Sequence, residues 1–203
     1  MIIKVDKEKV LKEFEEKYVK NRYINEYKNI QERYRIDGER IREHLCIKFD
    51  SVCKKTILYQ EKGLKGEIEY IYVSLLRTSL IENKGEYRID LYDENWFLDK
   101  EECSININLD FIYEPLFNHM KELSDKKNEY GRTIKEMDIE NIKLREAKNY
   151  HVLALELLKT IIEEFVKIDS YKNIKKKENI RIMAGEYMDI TTRIYPKNQK
   201  NDV

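Results

Sequence analysis

The sequence predicts an α+β protein: long helices, comprising a helical hairpin and a central core helix, packed on a small antiparallel sheet of four to five strands. Three observations lead there. Only 6 Gly and 2 Pro punctuate 203 residues, so long regular elements with few long loops are expected. Apolar residues recur at helical spacing up to about residue 60, then change to the alternation of strands after "KGLKG" (62–66). Finally, strand-like and helix-like segments come in blocks and do not alternate one by one, which disfavours a doubly wound parallel sheet.

Residues 6–35 are expected to form a long helix. Asp6 can cap it, and Glu8 puts negative charge in the first turn, where free N–H groups favour it. The apolar stripe runs Val10/Leu11, Phe14, Tyr18 and resumes off that line as Tyr23, Tyr27, Ile30, Tyr34. Either the helix bends near Asn21 or its halves face different neighbours. "IDGER" (36–40) is the expected break. A second helix over about 39–60 then carries Ile41, Leu45, Phe49, Val52 and Tyr59 on one face. A short connection would make 1–61 an antiparallel helical hairpin, with 62–203 as the α+β core of the same compact unit.

"EIEYIYVSLLRTSLI" (67–81) is dense in β-branched and aromatic residues and is expected to be a strand. "EYRIDLY" (86–92) alternates Tyr87, Ile89, Leu91 against Arg88, Asp90, Tyr92. A two-residue connection at Lys84–Gly85 would set Leu80 opposite Ile89 and Thr78 opposite Leu91. "CSININL" (103–109) offers a third strand. Residues 110–131 read as a helix, with Pro115 expected in its first turn and Gly131 as its stop. The longest element is expected at 137–172, with 150–168 apolar nearly all round as the central core helix. Lys175, Lys176 and Lys177 complement the dipole at its end. The segment 180–194 closes the fold, as a hairpin turning at Gly185–Glu186 or as one long bulged strand. "KNQKNDV" reads as a polar tail.

Composition narrows the function. Charged residues make up 38% of the chain, yet Lys+Arg and Asp+Glu are both 39 and the net charge is zero. A nucleic-acid binder gains most of its affinity from a basic surplus, so nucleic acid is not the expected partner. Electrostatic attachment to an anionic membrane is disfavoured for the same reason. No stretch approaches the ~20 apolar residues that span a bilayer, and "MIIKVDKEKV" lacks the apolar core of a secretory signal. Cys46, Cys53 and Cys103 form neither a disulfide framework nor a zinc ribbon and are expected to be small buried apolar groups. A cytoplasmic protein is expected, of unspecified oligomeric state.

Catalytic constellations are sparse. There is no G-x-S-x-G and no Walker spacing. None of His44, His119 and His151 has a second His or Cys at i+3 or i+4, so surface or capping roles are expected and no metal or cofactor is assigned. The densest cluster is "EYRIDLYDENWFLD" (86–99), with five carboxylates, one arginine and the chain's only tryptophan. Asp90, Asp93, Glu94 and Asp99, joined by Glu101 and Glu102, would suit Mg²⁺ in a metal-dependent phosphoesterase or nuclease. However, Asp90 and Asp93 point to opposite faces of an extended strand. Asp90 is expected to pair with Arg77 or Arg88, with "DENW" capping a turn. A single-stranded nucleic-acid binder, using tyrosines beside "YKNIKKK" (171–177), is the other alternative.

What stands out is tyrosine, 15 of 203 residues. Tyr and Trp dominate binding hot spots because they offer large rigid area with a polar tip. The expected function is therefore a non-catalytic protein-interaction module: an adaptor, a regulatory protein or a toxin-neutralising protein. Its expected face comprises Tyr23, Tyr27, Tyr34, Tyr70, Tyr72, Arg88, Asp90, Tyr92 and Trp96, as aromatic anchors with a salt-bridging rim.

Overall fold

The computed structural model describes residues 6–196; the expectations for the extreme N-terminus and for the polar tail from 197 lie outside them. The N-terminal helices are α1 (Lys7–Tyr18) and α2 (Arg22–Glu61). Asp6 caps α1 as expected, its carboxylate accepting from the backbone N–H of Glu8 and Lys9. The expected break at 36–40 is not there. The chain turns instead at 19–21, where Asn21 adopts φ +61, a left-handed conformation that Asn tolerates better than most residues. Gly38 sits inside α2, buried beneath the Tyr34 ring, and a single glycine is not enough to stop a helix of 40 residues packed along its length. The terminator lies beyond Glu61, at Gly63, whose φ is +68.

The sheet contains β1 (Ile68–Leu75), β2 (Glu86–Tyr92), β3 (Ser104–Asn108), β4 (Lys176–Glu186) and β5 (Thr191–Tyr195) in the order β3-β2-β1-β4-β5. It is mostly antiparallel, with one parallel pair, β1 and β4, at its centre. Gln60, at the end of α2, joins these two strands at their start: its side-chain amide donates to the carbonyls of Gly66 (2.8 Å) and Lys175 (2.7 Å) and accepts from Lys175 N–H (2.9 Å).

The expected register between the first two strands is overturned. The strand ends at Leu75, and α3 (Arg77–Ile81) takes up the rest of the segment expected to be extended. Ile71 therefore faces Leu91 and Val73 faces Ile89, a shift that places every large aliphatic residue of both strands on one side. The C-terminal turn also differs from both alternatives. β4 runs through Gly185–Glu186, and the chain reverses at 187–190, with Met188 at φ +55.

Three long elements cover one face of the sheet: α2, α4 (Asp110–Lys126) and α5 (Glu136–Phe165). The 40-residue α2 exceeds α5, which ends at Phe165 and is followed by the short α6 (Asp169–Asn173). Pro115 falls in the second turn of α4, beyond the first-turn position expected for it. Gly131 does end the unit, after a 3-10 turn, at φ +58. The core lies between helices and sheet, where Ile71, Val73, Ile89, Leu91, Ile107, Ile182 and Ala184 meet Phe49, Leu116, Leu158 and Phe165. Phe49 and Phe165 stack at 4.3 Å between centroids. Lys176 caps the end of α6, its ammonium donating to the carbonyls of Tyr171, Lys172 and Ile174. No helix among the described residues is long and apolar enough to cross a membrane.

Candidate functional site

The alternation of β2 decides where its polar residues go. Tyr87, Ile89 and Leu91 enter the core, so Arg88, Asp90 and Tyr92 must emerge on the opposite face. Tyr70, Tyr72 and Ser74 of β1 share that face with Arg181, Met183 and Gly185 of β4, which they meet in register. This side of the sheet carries none of the long helices. Asp90 pairs with Arg88, whose Nε lies 2.7 Å from Oδ1, while the same guanidinium reaches Glu102 at 2.9 Å. Burial pushes the Asp90 carboxyl above the usual carboxylate range even though Arg88 and its hydrogen bond pull it down.

The remaining acids of 86–99 diverge. Asp93 turns away and accepts from the backbone of Gly66 (3.1 Å) and from the backbone and side chain of Asn95 (2.9 and 3.1 Å). Asp99 forms an ion pair with Lys65, the two side chains 3% and 1% exposed, and accepts the backbone N–H of Asp93 (3.2 Å) and Glu101 (3.1 Å). Lys65 also donates to the Glu101 carbonyl at 2.7 Å. Glu94 extends toward Lys177. Asp90, Asp93, Glu94 and Asp99 turn to different groups, and among the described residues no group of three or more His, Cys, Asp or Glu side chains could hold a metal ion. What these acids build is a frame for the loop between β2 and β3.

That frame presents two rings. Trp96 sits at φ +52, a strained conformation for an aromatic residue, and Phe97 follows it at 4.4 Å between centroids. Phe97 meets Tyr92 edge-on at 5.3 Å, Tyr92 meets Tyr72 at 5.9 Å, and Trp96 reaches Tyr70 at 6.0 Å. These spacings make one continuous aromatic cluster. Across from it, the turn after β4 supplies Tyr187, Met188 and Asp189. Between the two walls lies a cavity of about 600 Å³ with Ser74 and Asp90 also lining it. Burial is the main reason the Tyr92 hydroxyl titrates well above the ordinary tyrosine range, so it stays a neutral donor.

The nine residues singled out in the sequence thus separate into two places. Tyr70, Tyr72, Arg88, Asp90, Tyr92 and Trp96 come together on the open face of the sheet. Tyr23, Tyr27 and Tyr34 do not join them: they lie on α2 in the helical layer. There Tyr34 stacks on Phe111 at 6.1 Å, and Tyr27 and Tyr34 line an apolar groove with Leu153 and Leu157. Sequence reasoning missed Phe97, although it adjoins Trp96. It also missed Tyr187, which carries no local signal and reaches the site only through the parallel pairing of β1 with β4, where its N–H bonds the Leu75 carbonyl.

Two other sets of polar groups belong to the architecture. His119 bonds the carbonyl of Tyr18 at 2.9 Å, closing the end of α1 in the capping role expected of it. His151, expected near the surface, is instead buried: its Nδ1 lies 2.7 Å from the Tyr87 hydroxyl, which in turn lies 2.8 Å from that of Tyr113. His44 is exposed. Cys53 and Cys103 are buried free thiols and Cys46 is half-buried. No family model, curated protein or solved structure matches the chain.

Proposed function

We propose that this chain is a non-catalytic protein-interaction module, an adaptor, regulatory or toxin-neutralising protein of the cytoplasm, that binds its partner on the open face of the sheet. One observation carries the proposal: Tyr70, Tyr72, Tyr92, Trp96 and Phe97 form a contiguous aromatic cluster on a sheet face with no long helix over it. Trp96 is 44%, Phe97 42% and Leu98 84% exposed, on a loop held rigid by the Lys65–Asp99 pair. Rigid, exposed aromatic anchors lower the ordering cost of association and are the side chains that carry most binding energy at interfaces. Arg88, Asp90 and Glu102 give the cluster a charged rim. Three free thiols suit a reducing compartment. The tyrosines of α2 form a second, helical surface for the same or another protein.

The test is affinity capture from the native cytoplasm with the full chain, followed by reconstitution with the purified partner. Trp96→Ala and Tyr92→Ala should each weaken that complex at least about tenfold, as hot-spot residues do, with the melting temperature nearly unchanged. Equal capture by wild type and both variants refutes the face. Recovery of single-stranded nucleic acid, with affinity that collapses on adding salt, would put the strand-binding alternative in its place. Calorimetric Mg²⁺ binding that Asp90→Asn abolishes would do the same for the phosphoesterase.

A further inference from the structure

The aromatic cavity has a sign of charge. The acids lining it are Asp90 and Asp189; among the described residues no lysine or arginine lines it, and the Arg88 guanidinium lies over the Tyr187 ring at 5.7 Å. Asp90 is 2% exposed, and while Oδ1 takes the Arg88 hydrogen bond, Oδ2 has no partner and is itself shielded from water. Arg88 is shared with Glu102, so these three side chains together retain one negative charge. Asp189 accepts the backbone N–H of Ile190 at 2.9 Å and faces Arg77 at 3.9 Å, a guanidinium it shares with Glu186. A buried carboxylate oxygen without a donor is unfavourable, and native structures keep few such groups.

The walls point the same way. The faces of Tyr and Trp rings carry negative electrostatic potential and attract cations, Trp most strongly. Residues on both rims, Trp96 and Met188, hold left-handed backbone without being glycine, a conformation that carries a cost for both side chains. A space of about 600 Å³ fits a side chain and far exceeds a bare metal ion, for which no third ligand stands nearby among the described residues. The guest that matches is a cation with an apolar skin. Guanidinium matches better than ammonium, since it is planar, sheds water readily and stacks on rings. A phosphate would face two carboxylates.

Building on the interaction face above, we propose that this cavity receives one arginine side chain of the partner protein. Its guanidinium stacks among Tyr72, Tyr92 and Trp96, opposite the Tyr187 ring that Arg88 already covers, and the Asp90 carboxylate beneath the floor opposes its charge through space. Low dielectric makes that attraction effective without direct contact.

The sole tryptophan lies in the wall, so its fluorescence reports occupancy directly. The probes are acetyl-Gly-Arg-Gly-amide and its citrulline counterpart, the same shape without the charge, titrated into the full chain with calorimetry alongside. The arginine peptide should saturate on the order of millimolar, as suits so small a guest, and the citrulline peptide should bind at least about tenfold more weakly, the loss of one buried charge pairing. Asp90→Asn should weaken the arginine peptide by about tenfold. Because that change also deprives Arg88 of a partner, Asp189→Asn, on the exposed turn, serves as the second variant, with about a threefold loss expected for a rim charge. Equal binding of arginine and citrulline peptides overturns the proposal. So does tetramethylammonium displacing the arginine peptide at equal or lower concentration, which would assign the cavity to a free small cation, or a thymidine oligonucleotide binding there more tightly than either peptide. If the arginine peptide fails while Trp96→Ala still abolishes partner capture, this inference falls alone. If the peptide binds through Asp90 while capture ignores Trp96, the protein-interaction reading falls and the cation site stands.

Discussion

Replacing Asp99 by Asn should loosen the rim of the aromatic cluster before it unfolds the protein. The Lys65 and Asp99 side chains are almost wholly out of water, and the carboxylate serves the ammonium and two backbone N–H groups together. Removing one member of such a pair leaves an uncompensated buried charge, which costs about 3–5 kcal/mol. Asn keeps an oxygen for one of the two N–H donors, and the neighbouring Glu94–Leu98 stretch is exposed, so water can reach the ammonium. The low end, about 3 kcal/mol, is therefore expected, a fall of roughly 6–12 °C in Tm for a domain of this size. The assay is thermal and urea unfolding of wild type, Asp99→Asn, Lys65→Met and the double variant, with Trp96 emission recorded on the folded state. The double variant should be less destabilised than the sum of the singles by about 2 kcal/mol, because it leaves no orphaned charge. Trp96 emission should shift to the red in Asp99→Asn while the far-ultraviolet circular dichroism holds. A loss below about 1 kcal/mol, or singles that add within about 0.5 kcal/mol, would refute the role assigned to this pair.

Three further outcomes are expected. Gly185→Ala should cost at least about 2 kcal/mol, since a Cβ there collides with the Ile190 carbonyl and comes within 2.7 Å of Thr191 Cα; the Tyr187 wall should be displaced with it, so partner binding falls too. His119 and His151 are both held below the ordinary histidine pKa of 6.5, chiefly by burial. The unfolded chain therefore takes up these protons first as pH drops, so stability is full above pH 6.5 and is lost as pH falls from there through the depressed folded values, by at most about 1.4 kcal/mol per pH unit for each group. Urea midpoints at pH 7.5 and 5.5 should differ less for His151→Gln than for wild type. Burial pushes the Cys53 thiol up to about 12, so a thiol reagent at pH 8 should label half-buried Cys46 first and reach Cys53 only at the rate of global unfolding.

Much of the fold follows from local pattern. The cap at Asp6, the alternation of 86–92, the short strand at 104–108 and the stop at Gly131 each rest on signals a few residues wide. The errors arose where a local signal met a tertiary one. Gly38 looks like a break, yet it lies under Tyr34 within a helix anchored at both ends, and the true break fell to Asn21, already marked by the change in stripe. Arg77–Ile81 has the composition of a strand. It coils because the Ser79 hydroxyl bonds the carbonyls of Leu76 and Lys84 across the turn, and that shortened strand reset the whole register. In the candidate site, the divergence of Asp90 from Asp93 was visible in the alternation. An arginine partner for Asp90 was expected too, but as either Arg77 or Arg88, and the structure selects Arg88 while Arg77 goes to Glu186 and Asp189. Tyr187 and Asp189 were not visible, because nothing near them in the chain announces a parallel neighbour.

That parallel neighbour bears on biosynthesis. Ile71 must wait for Ile182, so a nascent chain leaving the ribosome carries β1, β2 and β3 as a partial sheet with the inner strand still bare along one side. The segment "IEYIYVSL" then offers an unprotected hydrogen-bonding edge of high β-propensity and little charge, the type of surface that recruits stray strands. Every copy in translation passes through this vulnerable interval, and its duration is set by the time needed to synthesise and fold the long helices between the two strands. Slowed elongation across 110–165 should therefore raise the fraction lost to inclusion bodies, with the finished protein's stability unchanged.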